Sequence, residues 1–240
     1  MDKILRFNNF RCIFDKQLNV NSLNTLKRTL TTMQQITSIS FNNAVEKFAS
    51  LPGIGNKTAL RLVLQLLNKD KNELSDFGKA FIELAEQIKY CNTCYNITDL
   101  NTCSICANPK RSDDIICVVE NILDVIAIEN THQFNGKYHV SGGIISPMDG
   151  IGPSDIKIAE LIERIDQKKP EELIMALSTT MEGDATNFYI YKKLATTDIN
   201  ITTIARGVGI GDEIEYTDEL TLGRSIVNRV PFKNTLSLNQ

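Results

Sequence analysis

The residues CNTCYNITDLNTCSIC, from Cys91 to Cys106, decide how this chain is organised. They contain a C-x2-C pair, eight intervening residues and a second C-x2-C pair. Two such pairs on tight turns can complete a tetrahedral four-sulfur shell around Zn²⁺. Because this shell leaves no open coordination position, we expect one structural Zn²⁺ ion per chain rather than a catalytic one. The predicted ligands are Cys91, Cys94, Cys103 and Cys106.

Two disulfides in a secreted protein are the alternative interpretation of these cysteines. Disulfide frameworks are typical of short, cysteine-dense secreted chains, whereas this chain has six cysteines in 240 residues. Cys117 lies in an apolar run and is expected to be a free thiol in a core. No apolar run approaches the ~20 residues that cross a bilayer. Composition therefore favours a cytoplasmic protein that does not enter a membrane.

A second motif lies upstream, where LPGIGNKT (51–58) interrupts a helical pattern. Gly53 and Gly55 allow a tight turn, since glycine tolerates positive φ. The turn would expose the backbone N–H groups that begin the second helix, which form an anion site. Lys57 and Arg61 lie one helical turn apart and can reach a phosphate beside it. The pattern predicts a helix-hairpin-helix that binds the DNA backbone without sequence specificity; an ordinary helical hairpin is the alternative.

After the cysteines, the pattern changes to alternating strands and helices. Ile115–Val119 is a continuous apolar run, typical of a buried parallel strand. Further strands are predicted at 138–140, 173–177 and 201–205, with a helix at 187–195 before the last one. This alternation predicts an α/β unit with a parallel sheet. Functional residues of such sheets gather at the carboxyl ends of the strands.

Three acidic residues, Glu120, Glu182 and Asp184, fall at those strand ends. A glutamate that ends one strand, with an acidic pair after another, resembles the Mg²⁺ site of the Toprim domain of topoisomerases and primases. Here the pair reads Glu-Gly-Asp, where catalytic members have two aspartates. We therefore expect no catalytic two-metal centre, and interpret the acids as a weak Mg²⁺ site or a surface for protein contact.

Residues 1–35 are rich in Asn, Thr, Lys and Arg and show no clear periodicity. We expect this segment to be a disordered extension. One explanation is that the native protein starts further downstream, near Met33. A basic arm that contacts DNA is the alternative.

The order of these modules resembles the RecR family of bacterial recombination mediators, over about residues 36–232. The segments that carry the resemblance are Leu51–Gly55, Cys91–Cys106, Val118–Glu120, Ala205–Gly207 and Glu213–Leu222. The resemblance implies a multi-module α+β fold. Its predicted parts are a helical region with the hairpin (36–90), a four-cysteine zinc finger (91–106), a Toprim domain (114–210) and a tail that packs on a neighbouring subunit (211–240).

The resemblance also implies a function. Family members form homodimers and homotetramers, ring-like clamps that act with the RecO and RecF proteins in recombinational DNA repair. They help to load recombinase onto gapped or single-stranded DNA and are not enzymes. Lys57, Arg61, Gly53 and Gly55 match the DNA-binding hairpin, and Glu120, Glu182 and Asp184 fall in the region used toward RecO and DNA.

Two hypotheses from other classes stay open. The first is a Mg²⁺-dependent Toprim nuclease or primase that uses Glu120, Glu182 and Asp184. The second is a zinc-ribbon adaptor that binds only protein.

Overall fold

The computed structural model describes residues 38–231. The predicted extension at 1–35 and the last residues of the tail, 232–240, lie outside the described residues. The chain divides into two compact units, with the boundary between Phe81 and Ile82. Within residues 38–231, every helix is too short or too polar to cross a lipid bilayer.

The first unit is built around a pair of packed helices, α1 (Ile39–Ala49) and α2 (Asn56–Leu67). The hydroxyl of Ser38 caps α1 by accepting a hydrogen bond from a backbone N–H of its first turn. Ala59 and Val63, one helical turn apart on α2, are the buried residues of that helix. The helical hairpin predicted from the sequence is therefore present.

The third helix, α3 (Lys71–Gln87), begins where the carboxylate of Asp70 accepts two backbone N–H groups. None of the residues of α3 is buried. Among its apolar side chains, Phe81 and Leu84 are more than half exposed, at 56% and 53%. An amphipathic helix with an apolar face open to solvent is typical of a surface that another molecule covers.

After the end of α3, the second unit contains a small two-stranded ladder and then a parallel sheet. Strand β1 (Lys89–Tyr90) pairs antiparallel with β2 (Ile97–Thr98), and the short helix α4 (Ser104–Ala107) follows. The sheet has the order β4-β3-β5-β6, and all neighbouring strands are parallel. Its strands and flanking helices are β3 (Ile115–Val119), α5 (Ile122–Asn130), β4 (Lys137–Val140), α6 (Ile158–Lys168), β5 (Glu172–Ala176), α7 (Met181–Lys193) and β6 (Asn200–Thr203).

Strand β3 is central and carries the core on both of its faces. Ile116 and Val118 belong to one apolar cluster, and Cys117 and Val119 belong to the other. This division follows from the two-residue period of a strand. The prediction of a buried parallel strand at Ile115–Val119 is confirmed, and so is the buried free thiol of Cys117, whose pKa burial raises to about 12.

The tail of the described chain contains a short 3-10 turn at Ile214–Tyr216 and the helix α8 (Glu219–Val227). The carboxylate of Asp218 caps α8 by accepting the backbone N–H of Thr221 at 2.9 Å. None of the residues of α8 is buried, and Val227 is 76% exposed. Like α3, this helix carries an apolar face that the rest of the described chain leaves open.

Helix α7 begins earlier than the sequence pattern predicts. The predicted helix starts at residue 187, whereas α7 begins at Met181. The hydroxyl of Thr180 caps it by accepting the backbone N–H of Gly183 at 3.1 Å. As a consequence, Glu182 and Asp184 belong to the first helical turn rather than to a loop.

Gly183 allows this early start because its backbone lies against the preceding loop. A Cβ atom at this position would lie 1.9 Å from the carbonyl oxygen of Ser178. This contact is with the backbone, so a rotamer change cannot relieve it. Glycine is therefore required here for close approach of the helix to the loop.

We expect Gly183→Ala to destabilise the second unit by about 3 kcal/mol, since overpacking against backbone forces the start of α7 to move. The midpoint of urea unfolding, followed by circular dichroism, measures this loss. The matched control is Gly78→Ala in α3, where a new Cβ meets no atom within 4 Å. Equal midpoints for the two variants would show that the Ser178 contact does not constrain the fold.

Candidate metal centre and nucleic-acid interface

The four predicted zinc ligands converge in the structure. Their Sγ atoms all lie within 4.8 Å of one another, and three of the four residues are buried. The Sγ atoms of Cys94 and Cys103 are 3.5 Å apart. In a tetrahedral site with Zn–S bonds of ~2.3 Å, neighbouring sulfurs lie ~3.8 Å apart. The arrangement therefore fits a single Zn²⁺ ion bound by four thiolates.

The backbone around the cysteines favours thiolates. The N–H of Cys103 donates to Sγ of Cys91 at 3.3 Å, and the N–H of Cys106 donates to Sγ of Cys103 at 3.4 Å. Hydrogen bonds from the Cys106 and Cys94 side chains lower the pKa of Cys103 to about 2, whereas the hydrogen bond with Cys103 raises the pKa of Cys106 to about 12. The sulfurs thus resist carrying several negative charges together. A divalent cation relieves this repulsion and would allow all four to ionise.

The first cysteine turn is attached to the edge of the parallel sheet. The N–H of Val140 in β4 donates to the carbonyl oxygen of Cys94 at 2.8 Å. The Tyr95 ring meets the buried His139 ring edge-on, with centroids 5.5 Å apart. Since β4 is an edge strand, the zinc module covers part of an edge that would otherwise be unpaired.

Arg164 in α6 strengthens this attachment. Its Nη1 donates to the carbonyl oxygen of Thr93, between the first two cysteines, at 3.3 Å, and to that of Tyr138 in β4 at 2.7 Å. One guanidinium therefore joins the cysteine turn, the edge strand and a helix. Sequence reasoning did not identify Arg164, because its partners are 71 and 26 residues away and are backbone atoms.

The hairpin turn of the first unit has the conformation that its glycines predict. The carbonyl oxygen of Leu51 accepts the N–H of Ile54 at 3.1 Å, and Gly53 has φ of 79°. With Pro52 at the second position, this is a type II turn. Gly55 is the N-cap of α2, and no side chain in the described part of the chain caps that helix. The positive end of the α2 dipole is therefore open to a ligand.

Lys57 and Arg61 are both exposed on α2 next to this helix end. Among residues 38–231, neither side chain forms an ion pair, and the sequence of α2 contains no acidic residue. Two cations beside an uncapped helix N-terminus form a surface suited to a phosphate group. The structure thus brings the predicted hairpin residues to one end of one helix.

The acidic residues are arranged differently from a metal centre. Glu120 directly follows β3, whereas Glu182 and Asp184 are two residues apart within the first turn of α7. Helical residues at this spacing do not face each other. Within the part of the chain that the structure describes, the four cysteines form the one group of three or more potential ligands that converges.

Asp184 is instead bound by an arginine. Arg206, which follows β6, donates to the two carboxylate oxygens of Asp184 at 3.0 and 2.6 Å. This hydrogen bonding lowers the pKa of Asp184. Sequence reasoning did not predict the pair, because nothing in the sequence relates residue 206 to residue 184. The guanidinium occupies the carboxylate face that a metal ion would need.

Comparison with known proteins gives matches along most of the chain. Four family models match successive segments: RecR, helix-hairpin-helix, over residues 41–84; RecR, four-cysteine zinc finger domain, over 88–108; Toprim domain, over 114–205; and RecR, C-terminal, over 207–230. The matches confirm the module order and the zinc-finger type that the sequence predicts.

Whole-chain relatives agree with these models. Recombination protein RecR of Parabacteroides distasonis is 57% identical over 204 residues, which are 85% of this chain and 98% of that protein. Recombination protein RecR of Bacteroides thetaiotaomicron is 55% identical over 203 residues, 85% of this chain and 99% of that protein. Recombination protein RecR of Flavobacterium johnsoniae is 53% identical over 205 residues, 85% of this chain and 100% of that protein.

We expect Cys91→Ser to release zinc and unfold the cysteine module, because zinc binding supplies the folding free energy of such small modules. Zinc content should fall from one ion per chain toward none, as measured by elemental analysis of the purified protein. Cys117→Ala is the matched control, since it removes a buried thiol outside the cluster and should retain one zinc. Full zinc content in Cys91→Ser would contradict the four-sulfur site.

Proposed function

Since this chain belongs to the RecR family of recombination proteins, we propose that it is a DNA-binding recombination mediator in recombinational DNA repair. The observation that carries the proposal is the hairpin, where Lys57 and Arg61 lie beside a helix N-terminus; within residues 38–231 no side chain caps that helix and neither cation forms an ion pair. Such a surface binds the phosphate backbone, which is present in every DNA sequence. Non-specific binding suits a protein that must act wherever DNA is damaged.

Encirclement would explain how an acidic chain holds DNA. The net charge is −3, so attraction to DNA has to come from a local surface. A ring of subunits would point several hairpins at one DNA molecule and would add topological retention to weak contacts. The exposed apolar faces of α3 and α8 support assembly into homodimers or homotetramers, because such faces are stable when another subunit covers them.

The acidic residues of the Toprim domain supply a surface for protein partners in this proposal. Glu120 directly follows strand β3, and Glu182 lies in the first turn of α7. Both side chains are half-buried. A basic surface on RecO could meet them, and RecF would act in the same pathway. Together these proteins would help to load recombinase onto gapped or single-stranded DNA.

We further propose that the Toprim domain has no catalytic role. Asp184 is engaged by Arg206, and Glu182 lies two residues away on the same helix. A phosphoryl-transfer centre needs carboxylates that converge on metal ions. Mg²⁺-dependent cleavage or primer synthesis that Glu120→Gln abolishes would instead support the nuclease or primase hypothesis.

A cytoplasmic location completes the proposal. Four reduced cysteines are needed to bind zinc as thiolates, and reducing compartments keep thiols in that state. The chain would then meet DNA and its partners in the bacterial cytoplasm.

We expect Lys57→Ala/Arg61→Ala to weaken DNA binding and to reduce the slope of log affinity against log salt by about 2, one for each lost phosphate contact. Fluorescence anisotropy of a labelled oligonucleotide at several salt concentrations measures both quantities. Lys69→Ala is the matched control, because Lys69 follows the opposite end of α2 and is paired with Glu73. An unchanged slope in the double variant would favour an adaptor that binds only protein.

The assembly should have a mass of two or four chains in native mass spectrometry, and DNA should add one oligonucleotide per assembly rather than one per chain. Leu84→Lys, which places a charge on the apolar face of α3, should shift the population toward monomer. Glu86→Lys on the same helix is the matched control. A monomer at high protein concentration, with or without DNA, would exclude the clamp.

A further inference from the structure

A small cavity lies in the second unit, at the edge of the parallel sheet opposite the acidic residues. Its volume is about 170 Å³. Lys137 begins β4, Lys168 ends α6, and Asp113 precedes β3, so these residues lie at the amino ends of the strands. Its lining residues are Thr93, Cys106, Asp113, Ile116, Lys137, Arg164 and Lys168.

The cavity has more cations than anions. Lys137 is buried and pairs with Asp113, whose side chain is 67% exposed. Arg164 and Lys168 form no ion pair with any of residues 38–231. Three cationic side chains therefore face one carboxylate and the sulfur of Cys106, which is one of the four zinc ligands.

The three cations line the same cavity as Asp113. The hydrogen bond from Lys137 lowers the pKa of Asp113, and the charges of Lys168 and Arg164 lower it further. All three cations thus act on the same anionic group. The Nη1 atom of Arg164 is held by two backbone carbonyls, so the guanidinium has a fixed position. A binding site benefits from such fixed donors, because little entropy is lost when the ligand binds.

The size of the cavity limits the ligand. Pockets for whole cofactors or drug-sized molecules measure about 300 to 1,000 Å³, well above this cavity. A single oxyanion is the class that fits. A guanidinium with lysines is a common phosphate-binding set.

We infer that this cavity is a phosphate-binding site, formed by Lys137, Arg164 and Lys168 between the zinc module and the amino edge of the sheet. The ligand is free phosphate or a phosphate of the DNA backbone. The site is separate from the hairpin, so the inference does not depend on the proposed function.

The test is calorimetric titration of the zinc-loaded full chain with inorganic phosphate at constant ionic strength. We expect saturable binding of one phosphate per chain. Lys168→Gln should raise the dissociation constant roughly tenfold or more, because it removes a charge-assisted hydrogen bond. Lys169→Gln is the matched control: it removes the same charge from the adjacent residue, which does not line the cavity, and should change the constant by less than about threefold.

Zinc content of each variant separates this site from a simpler role of the cations. Four thiolates around Zn²⁺ carry a net charge of −2, which nearby cations can offset. If Lys168→Gln loses zinc, or if the wild-type chain shows no saturable phosphate binding, the inference is wrong. Equal weakening by Lys168→Gln and Lys169→Gln would also overturn it, since that result indicates general surface attraction.

A second titration distinguishes the two sources of phosphate. It uses an oligothymidylate and the Lys57→Ala/Arg61→Ala background, so that the hairpin contributes little. If the ligand is DNA, inorganic phosphate should compete with the oligonucleotide and Lys168→Gln should weaken the remaining affinity. If the ligand is free phosphate, Lys168→Gln should abolish phosphate binding and leave DNA affinity unchanged. Either result supports the site.

Discussion

The small cysteine module of the second unit, which contains β1, β2 and α4, depends on the convergence of four sulfur atoms. The residues around the cysteines offer two short strands and a one-turn helix, too little to bury a core of their own. A metal ion replaces that core by binding the cysteines directly. The gain extends to the sheet, because the carbonyl of Cys94 accepts the N–H of Val140 in the edge strand. Zinc therefore stabilises a module and, through it, the edge of a larger sheet.

Local patterns predicted much of this fold because their physical causes are local. The C-x2-C pairs identify a metal site by ligand geometry alone, and the apolar run Ile115–Val119 becomes the central strand. The turn at Gly53 requires a positive φ, which glycine adopts readily. In each of these cases a few neighbouring residues contain the whole cause, so a single sequence is sufficient to find it.

The remaining features depend on residues that are distant in the sequence. Arg206 binds Asp184 across 22 residues, and Arg164 reaches Thr93 across 71. No periodicity or spacing connects such partners before the chain folds. The early start of α7 could not be predicted for a related reason. Gly183 is a poor helix former, but it allows the close approach of the helix to Ser178. Tertiary packing overrides propensity at that position.

The same glycine and the same arginine determine how the acidic residues of the Toprim domain are arranged. Gly183 lets the helix begin before Glu182, which places the two acids at a helical spacing where their side chains diverge. Arg206 then donates hydrogen bonds to both carboxylate oxygens of Asp184. Glu120 and Glu182 remain at this edge of the sheet, and neither forms an ion pair with any of residues 38–231. Charged surfaces favour the recognition of protein partners of opposite charge. The exposed cations Lys57 and Arg61, which we propose to bind DNA, belong to the hairpin of the first unit.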